Sequence, residues 1–89
     1  MISMRKQMIK ANVKILIHKN VLDVQGQAVA QSLQNIGYDT VEDIRVGKLI
    51  EVVLTDDNEE SAKEKLKGMT EDLLANTVIE DYEIEVIHE

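Results

Sequence analysis

Apolar and polar residues alternate near both ends of the chain and recur at three- and four-residue steps between them. From Asn12 to His18, Val13, Ile15 and Ile17 are set against Lys14, Leu16 and His18, the period of two that a strand shows when one face meets a core. The next segment, VLDVQGQAVAQSLQNIG, offers Asp23 as an N-cap, Val29, Leu33 and Ile36 at helical spacing, and Gly37 as a stop. Gly26 falls in the first turn of this helix, where its conformational cost points to close packing or a boundary.

Two β-rich runs follow, Thr40 to Val46 and Lys48 to Leu54, broken at Gly47 as a hairpin or a bulged bend would break them. In the second run Ile50, Val52 and Leu54 alternate with Glu51 and Val53. Acidic and capping residues then open a second helix, with Ala62, Leu66, Met69 and Leu73 on one stripe and Met69 in the core. Asn76 can end that helix in the left-handed conformation, and DYEIEVI closes the pattern with a strand whose second face is acidic.

The order is βαββαβ. It predicts an α+β fold: a two-layer sandwich of one antiparallel sheet with both helices on one face. Leu16, Val53 and Ile87 are out of phase with the core positions of their strands, so the other sheet face is partly apolar and fit for a sheet-mediated oligomer. Residues 12–89 read as a single domain and residues 1–11 as an N-terminal extension, expected to be poorly ordered. A chain of 89 residues has a thin core, which association with other chains would reinforce.

Charge narrows the partners. The net charge of −7 divides into +5 over residues 1–19 and −12 over the rest, an acidic body that repels phosphate backbones. With no Phe or Trp and only Tyr38 and Tyr82, there is little platform for stacking bases, so nucleic-acid binding is disfavoured. The absence of cysteine excludes disulfides and thiolate chemistry. No window reaches the roughly 20 apolar residues of a membrane span, and the first residues lack the apolar centre of a secretory signal, so the cytoplasm is expected.

Catalytic chemistry finds little support. Glu80 and Asp81 are adjacent, and in an extended segment adjacent side chains point to opposite faces, which is wrong for a carboxylate pair. His18 and His88 have neither metal-ligand spacing nor a cysteine nearby and read as surface histidines. The serines lack a histidine at motif spacing, and Gly26, Gly37, Gly47 and Gly68 form no phosphate-binding loop, reading instead as boundaries and bends. Arg45 and Lys48 on either side of Gly47 form either a solvated hairpin or a partner or anion contact.

Several blocks of this sequence resemble one family. Leu22, Asp23, Gln25 and Gly26 open the first helix, Gly37 and Tyr38 close it, Arg45, Val46, Gly47 and Lys48 form the bend, and Leu74, Ala75 and Asn76 lead through Val78, Ile79, Glu80 and Asp81 to Tyr82. In that order, from Val13 to Val86, they resemble PurS, the small subunit of phosphoribosylformylglycinamidine synthase. The family pattern often has proline where this chain has Val24 and Thr77, which frees φ at a helix start and at a turn.

The resemblance implies a role in purine biosynthesis, where formylglycinamide ribonucleotide, glutamine and ATP yield formylglycinamidine ribonucleotide. It implies a subunit of an ATP-dependent C–N ligase with no catalytic residue, cofactor or metal of its own. ATP and Mg²⁺ would be used by the synthetase subunit PurL, ammonia released by the glutaminase subunit PurQ, and this chain would bind both of them and itself, as a dimer or tetramer. Arg45, Gly47, Lys48, Asn76, Glu80, Asp81 and Tyr82 are then expected at partner interfaces. An ACT-type regulatory domain is the alternative, although Gly26 already lies inside the helix start rather than in a loop after the first strand. An acylphosphatase-like enzyme needs an arginine after that strand, whereas Arg5 precedes it.

Overall fold

The computed structural model describes residues 7–87. The chain forms β1 (Gln7–Ile17), α1 (Val24–Asn35), β2 (Gly47–Asp56), α2 (Glu59–Met69), a π-helical turn (Thr70–Leu74) and β3 (Glu80–Ile87). The fold is α+β with an antiparallel sheet, as expected, but the sheet has three strands in the order β2-β1-β3.

β1 is the central strand, and its inward residues Ile9, Ala11, Val13 and Ile15 are buried. It begins five residues before Asn12, so residues 7–11 belong to the sheet rather than to an extension. The alternation that starts at Val13 extends back through Ala11 and Ile9, and the register pairs Gln7 with Asp56 at the far end of β2. Residues 1–6, including Arg5, and residues 88–89, including His88, lie outside the described residues.

Thr40 to Val46 alternates like a strand but joins no ladder. Its end is held elsewhere: the Val46 N–H donates to Asp23 Oδ2 (2.9 Å), and the Arg45 guanidinium donates to the Ile17 carbonyl. No hairpin turn occurs at Gly47, which is already the first residue of β2 and faces Leu16. A Cβ at Gly47 would lie 2.2 Å from the Ile15 carbonyl oxygen, so glycine is needed here for close approach of two strands rather than for a bend.

Asp23 caps α1 through Oδ1, which accepts from Gly26 N (2.9 Å). The helix ends in a Schellman motif: Tyr38 N donates to Leu33 O, Gly37 N to Gln34 O, and Gly37 takes φ 111°. Gly26 is buried because the Ile44 carbonyl oxygen lies where its Cβ would be, 2.1 Å away. α1 therefore packs against its own following segment, while α2 is the helix that lies across β2 and β3.

In α2 the buried stripe runs Ala62, Leu66 and Thr70, not Ala62, Leu66, Met69 and Leu73. The π-helical turn, closed by Ala75 N donating to Thr70 O, carries the buried positions onward in four-residue steps and leaves Met69 38% and Leu73 85% exposed. Thr70 tolerates burial because its hydroxyl donates to the Leu66 carbonyl (2.7 Å). Gly68, expected at a bend, lies within α2 with open space around it. Asn76 does not take the left-handed conformation, since no non-glycine residue among those described has positive φ.

Candidate functional site

The sheet register brings together two sequence blocks that are far apart in the chain. Across β1, Leu16 faces Gly47 on one side and Asp81 on the other, and Ile15 faces Lys48 and Tyr82. The Arg45-Gly47-Lys48 block and the Asn76-to-Tyr82 block thus occupy the same end of the sheet. Two clefts open there, of about 510 and 400 Å³, and His18 lines both.

In the first cleft Asp23 is the organising group. Its carboxylate accepts from Gly26 N and Val46 N, and these two bonds, with the nearby Arg45 charge, hold its pKa below the ordinary value. Arg45 reaches the Ile17 carbonyl, while its Nε is buried with no acceptor from the described residues. Lys48 is exposed, one residue into β2.

The second cleft is built on the turn into β3. Asn76 Oδ1 accepts from Val78 N (3.1 Å), an Asx turn, and the Asn76 carbonyl accepts from Ile79 N and Glu80 N. Glu80 returns the contact, its Oε1 accepting from Asn76 N (2.8 Å). His18 Nδ1 lies 3.0 Å from Asp81 Oδ2, and the Tyr82 hydroxyl donates to Glu71 Oε2 (2.5 Å). The Glu71 hydrogen bond, aided by partial burial and by the Glu71 charge, raises the Tyr82 pKa above 10.0.

Three participants were not singled out from sequence. His18, read as a surface histidine, is the residue shared by the two clefts; Glu71, in the π-helical turn, fixes Tyr82; and Asp23 does more than cap a helix. Only the three-strand register could have shown His18 beside Asp81. Among the described residues no group of three or more His, Cys, Asp or Glu is arranged to hold a metal ion.

The open sheet face carries exposed Leu16, Leu49 and Val53 with half-buried Ile87, crossed by the ion pairs Lys10–Glu51 (3.5 Å) and Lys14–Glu85 (4.0 Å). Met8, assigned by sequence to the tail, is on β1 and 76% exposed on this face.

This arrangement defines a class: a small α+β association module, with polar and apolar surfaces gathered at one sheet end and on one open sheet face. Residues 10–88 fit the profile of the family described as PurS: Phosphoribosylformylglycinamidine (FGAM) synthase. The chain is 39% identical over 79 residues to phosphoribosylformylglycinamidine synthase subunit PurS of Methanocaldococcus jannaschii, covering 89% of this chain and 95% of that one. It is 42% identical to the Bacillus subtilis subunit of the same name, covering 89% and 93%. A PurS-like chain in the solved structure of PurLQS from Thermotoga maritima superposes with a TM-score of 0.85 at 30% identity, covering 91% of this chain and 99% of that chain. The chain belongs to the PurS family. The ACT-type alternative gains nothing from these matches. No described helix is long and apolar enough to cross a membrane.

Proposed function

We propose that this chain is the small subunit of a multi-subunit phosphoribosylformylglycinamidine synthase and works by geometry. It associates with itself and joins a glutaminase subunit, PurQ, to a synthetase subunit, PurL, in the cytoplasm. The observation that carries this reading is the near-complete overlap with a chain of the Thermotoga maritima PurLQS structure, which spans 91% of this chain.

Ammonia released from glutamine must reach the synthetase site before it is protonated or lost to solvent. A subunit that fixes two active sites relative to each other and shields the path between them raises the effective concentration of the nucleophile without touching it. ATP and Mg²⁺ are used by the synthetase; this chain binds neither. Arg45, Gly47 and Lys48, together with Asn76, Glu80, Asp81 and Tyr82, are the docking residues of this reading. Their placement on either side of β1 supports one continuous patch rather than two.

Reconstitution tests it. The complex is assembled with and without this chain, and glutamine-dependent and ammonia-dependent synthesis are compared. Loss of the glutamine-dependent rate with the ammonia-dependent rate retained is expected, and unchanged rates in both assays would refute the role. Arg45→Ala and Glu80→Ala are expected to weaken co-purification with the larger subunits; variants that capture both as well as the parent would remove these residues from the patch.

A further inference from the structure

The π-helical turn decides which of two adjacent leucines is buried. From Leu66, three- and four-residue steps along a continued α-helix would lead through Met69 and Thr70 to Leu73. The turn adds one residue, closed by Ala75 N donating to Thr70 O, and so moves the inward position on by one. Leu74 therefore packs against the core of Val13, Ile15 and Ala75, and Leu73 is turned out to solvent. At 85% exposure Leu73 adds nothing to that core, and Val78, at 83%, adds as little. These are the two most exposed of the large apolar side chains described.

Both belong to the corner between α2 and β3, and that corner is fixed without either side chain. Asn76, between them, accepts from Val78 N, Ile79 N and Glu80 N, and Glu80 accepts in return from Asn76 N. Apolar side chains displayed on a turn that is already ordered lose little freedom when a partner covers them, which makes them effective contacts. Charge surrounds the pair: Glu71 and Asp72 precede Leu73, and Glu80 and Asp81 follow Val78. His18 is beside Asp81 and Lys67 lies one helical turn before Glu71, so acids outnumber cations around the corner.

We propose that Leu73 and Val78 insert into an apolar pocket, rimmed by lysine or arginine, on one of the larger subunits. The complementarity is specific in both respects: the leucine and valine fill the pocket, and Glu71, Asp72, Glu80 and Asp81 meet its basic rim. A second copy of this chain is the wrong occupant. It carries a net charge of −7, and its Lys10 and Lys14 are tied to Glu51 and Glu85. An anionic lipid surface is repelled by the same four acids. The pair adjoins Asn76 and Glu80, so it supplies an apolar contact to a docking surface that is otherwise mostly polar.

This rests on the reading that the chain joins a glutaminase and a synthetase subunit, and the test separates the two. Leu73→Ser, Val78→Ser and Asp72→Lys are made in the full chain, with Leu73→Met as the conservative control. Affinity for each purified larger subunit, and for both together, is measured by calorimetry. The expected result is that each serine variant and Asp72→Lys weakens binding to one larger subunit by at least about tenfold, while Leu73→Met binds as the parent does. The melting temperature of Leu73→Ser, taken at one protein concentration, is expected to match the parent's, whereas Leu74→Ser lowers it. Serine variants that bind both subunits as tightly as the parent overturn the proposal and leave the joining role standing. Serine variants that change only the sedimentation of the isolated chain overturn it too, since the pair then faces a second copy. A parent chain that binds neither subunit overturns both readings.

Discussion

Gly26 and Gly68 both lie in helices, and the same substitution should move stability in opposite directions. Alanine at Gly68 meets nothing within 4 Å, so Gly68→Ala gains only helix propensity, about 1 kcal/mol, which raises the melting temperature by roughly 4–8 °C. At Gly26 the same propensity gain is opposed by a Cβ 2.1 Å from the Ile44 carbonyl oxygen and 2.7 Å from Asp23 Oδ2. Both neighbours are constrained, because Asp23 Oδ2 holds Val46 N and Ile44 is next to Arg45, whose guanidinium holds Ile17 O. Overpacking of this kind costs about 1–3 kcal/mol, and the 2.1 Å approach to a backbone oxygen puts Gly26→Ala at the upper end, so after the propensity gain the net is a loss of up to about 2 kcal/mol and several degrees. The check is thermal and urea unfolding of parent and variants, followed by circular dichroism at one fixed protein concentration, since association couples to apparent stability. A Gly26→Ala variant as stable as Gly68→Ala would refute the close approach of α1 and the 44–46 segment.

Leu66→Ala removes a fully buried side chain between α2 and the sheet and is expected to cost about 3 kcal/mol by urea unfolding. The buried Asp56 carboxylate is held below its ordinary pKa by Lys65 first, then by the Asp57 N–H and Ser61. Because the folded chain prefers the ionised form, this contribution is complete above the unfolded value of about 3.9 and is lost as pH falls through the lower folded value. In Asp56→Asn, stability measured across that acid range should vary less with pH than in the parent. Tyr82 is shifted the other way: in a Tyr38→Phe background, tyrosinate absorbance should appear only above the ordinary value of 10.0, and Glu71→Gln should bring its midpoint back down.

What the sequence disclosed followed the strength of its local signals. Asp23 and Gly37 mark the ends of α1 because caps and left-handed stops are local chemistry, readable from one residue and its neighbours. The inward faces of all three strands could be read for the same reason, since period two needs no partner. The fourth strand does not form in this chain: alternation at 40–46 shows what the segment is suited to, not which edge it meets. Met69 and Leu73 were misplaced because a straight 3.6-residue helix was assumed where the chain makes a π-helical turn. Residues 7–11 read as part of an extension because the clear alternation begins at Asn12, although Ile9 and Ala11 continue it on β1. At the candidate site, Arg45, Asp81 and Tyr82 could be named singly, but their common location is a matter of register, and register is not written in any one segment.

That register has a further consequence. Gly47 and Asp81 are separated by a whole helix, a π-helical turn and a turn in sequence, yet only one strand lies between them, so they are about 10 Å apart. Any partner element wide enough to cover the end of β1 therefore touches both. Substitutions in the two blocks cannot be independent in their effect on such a partner, and a change that weakens one side can be offset from the other. The sheet end behaves as a single recognition unit encoded in two distant stretches of the chain.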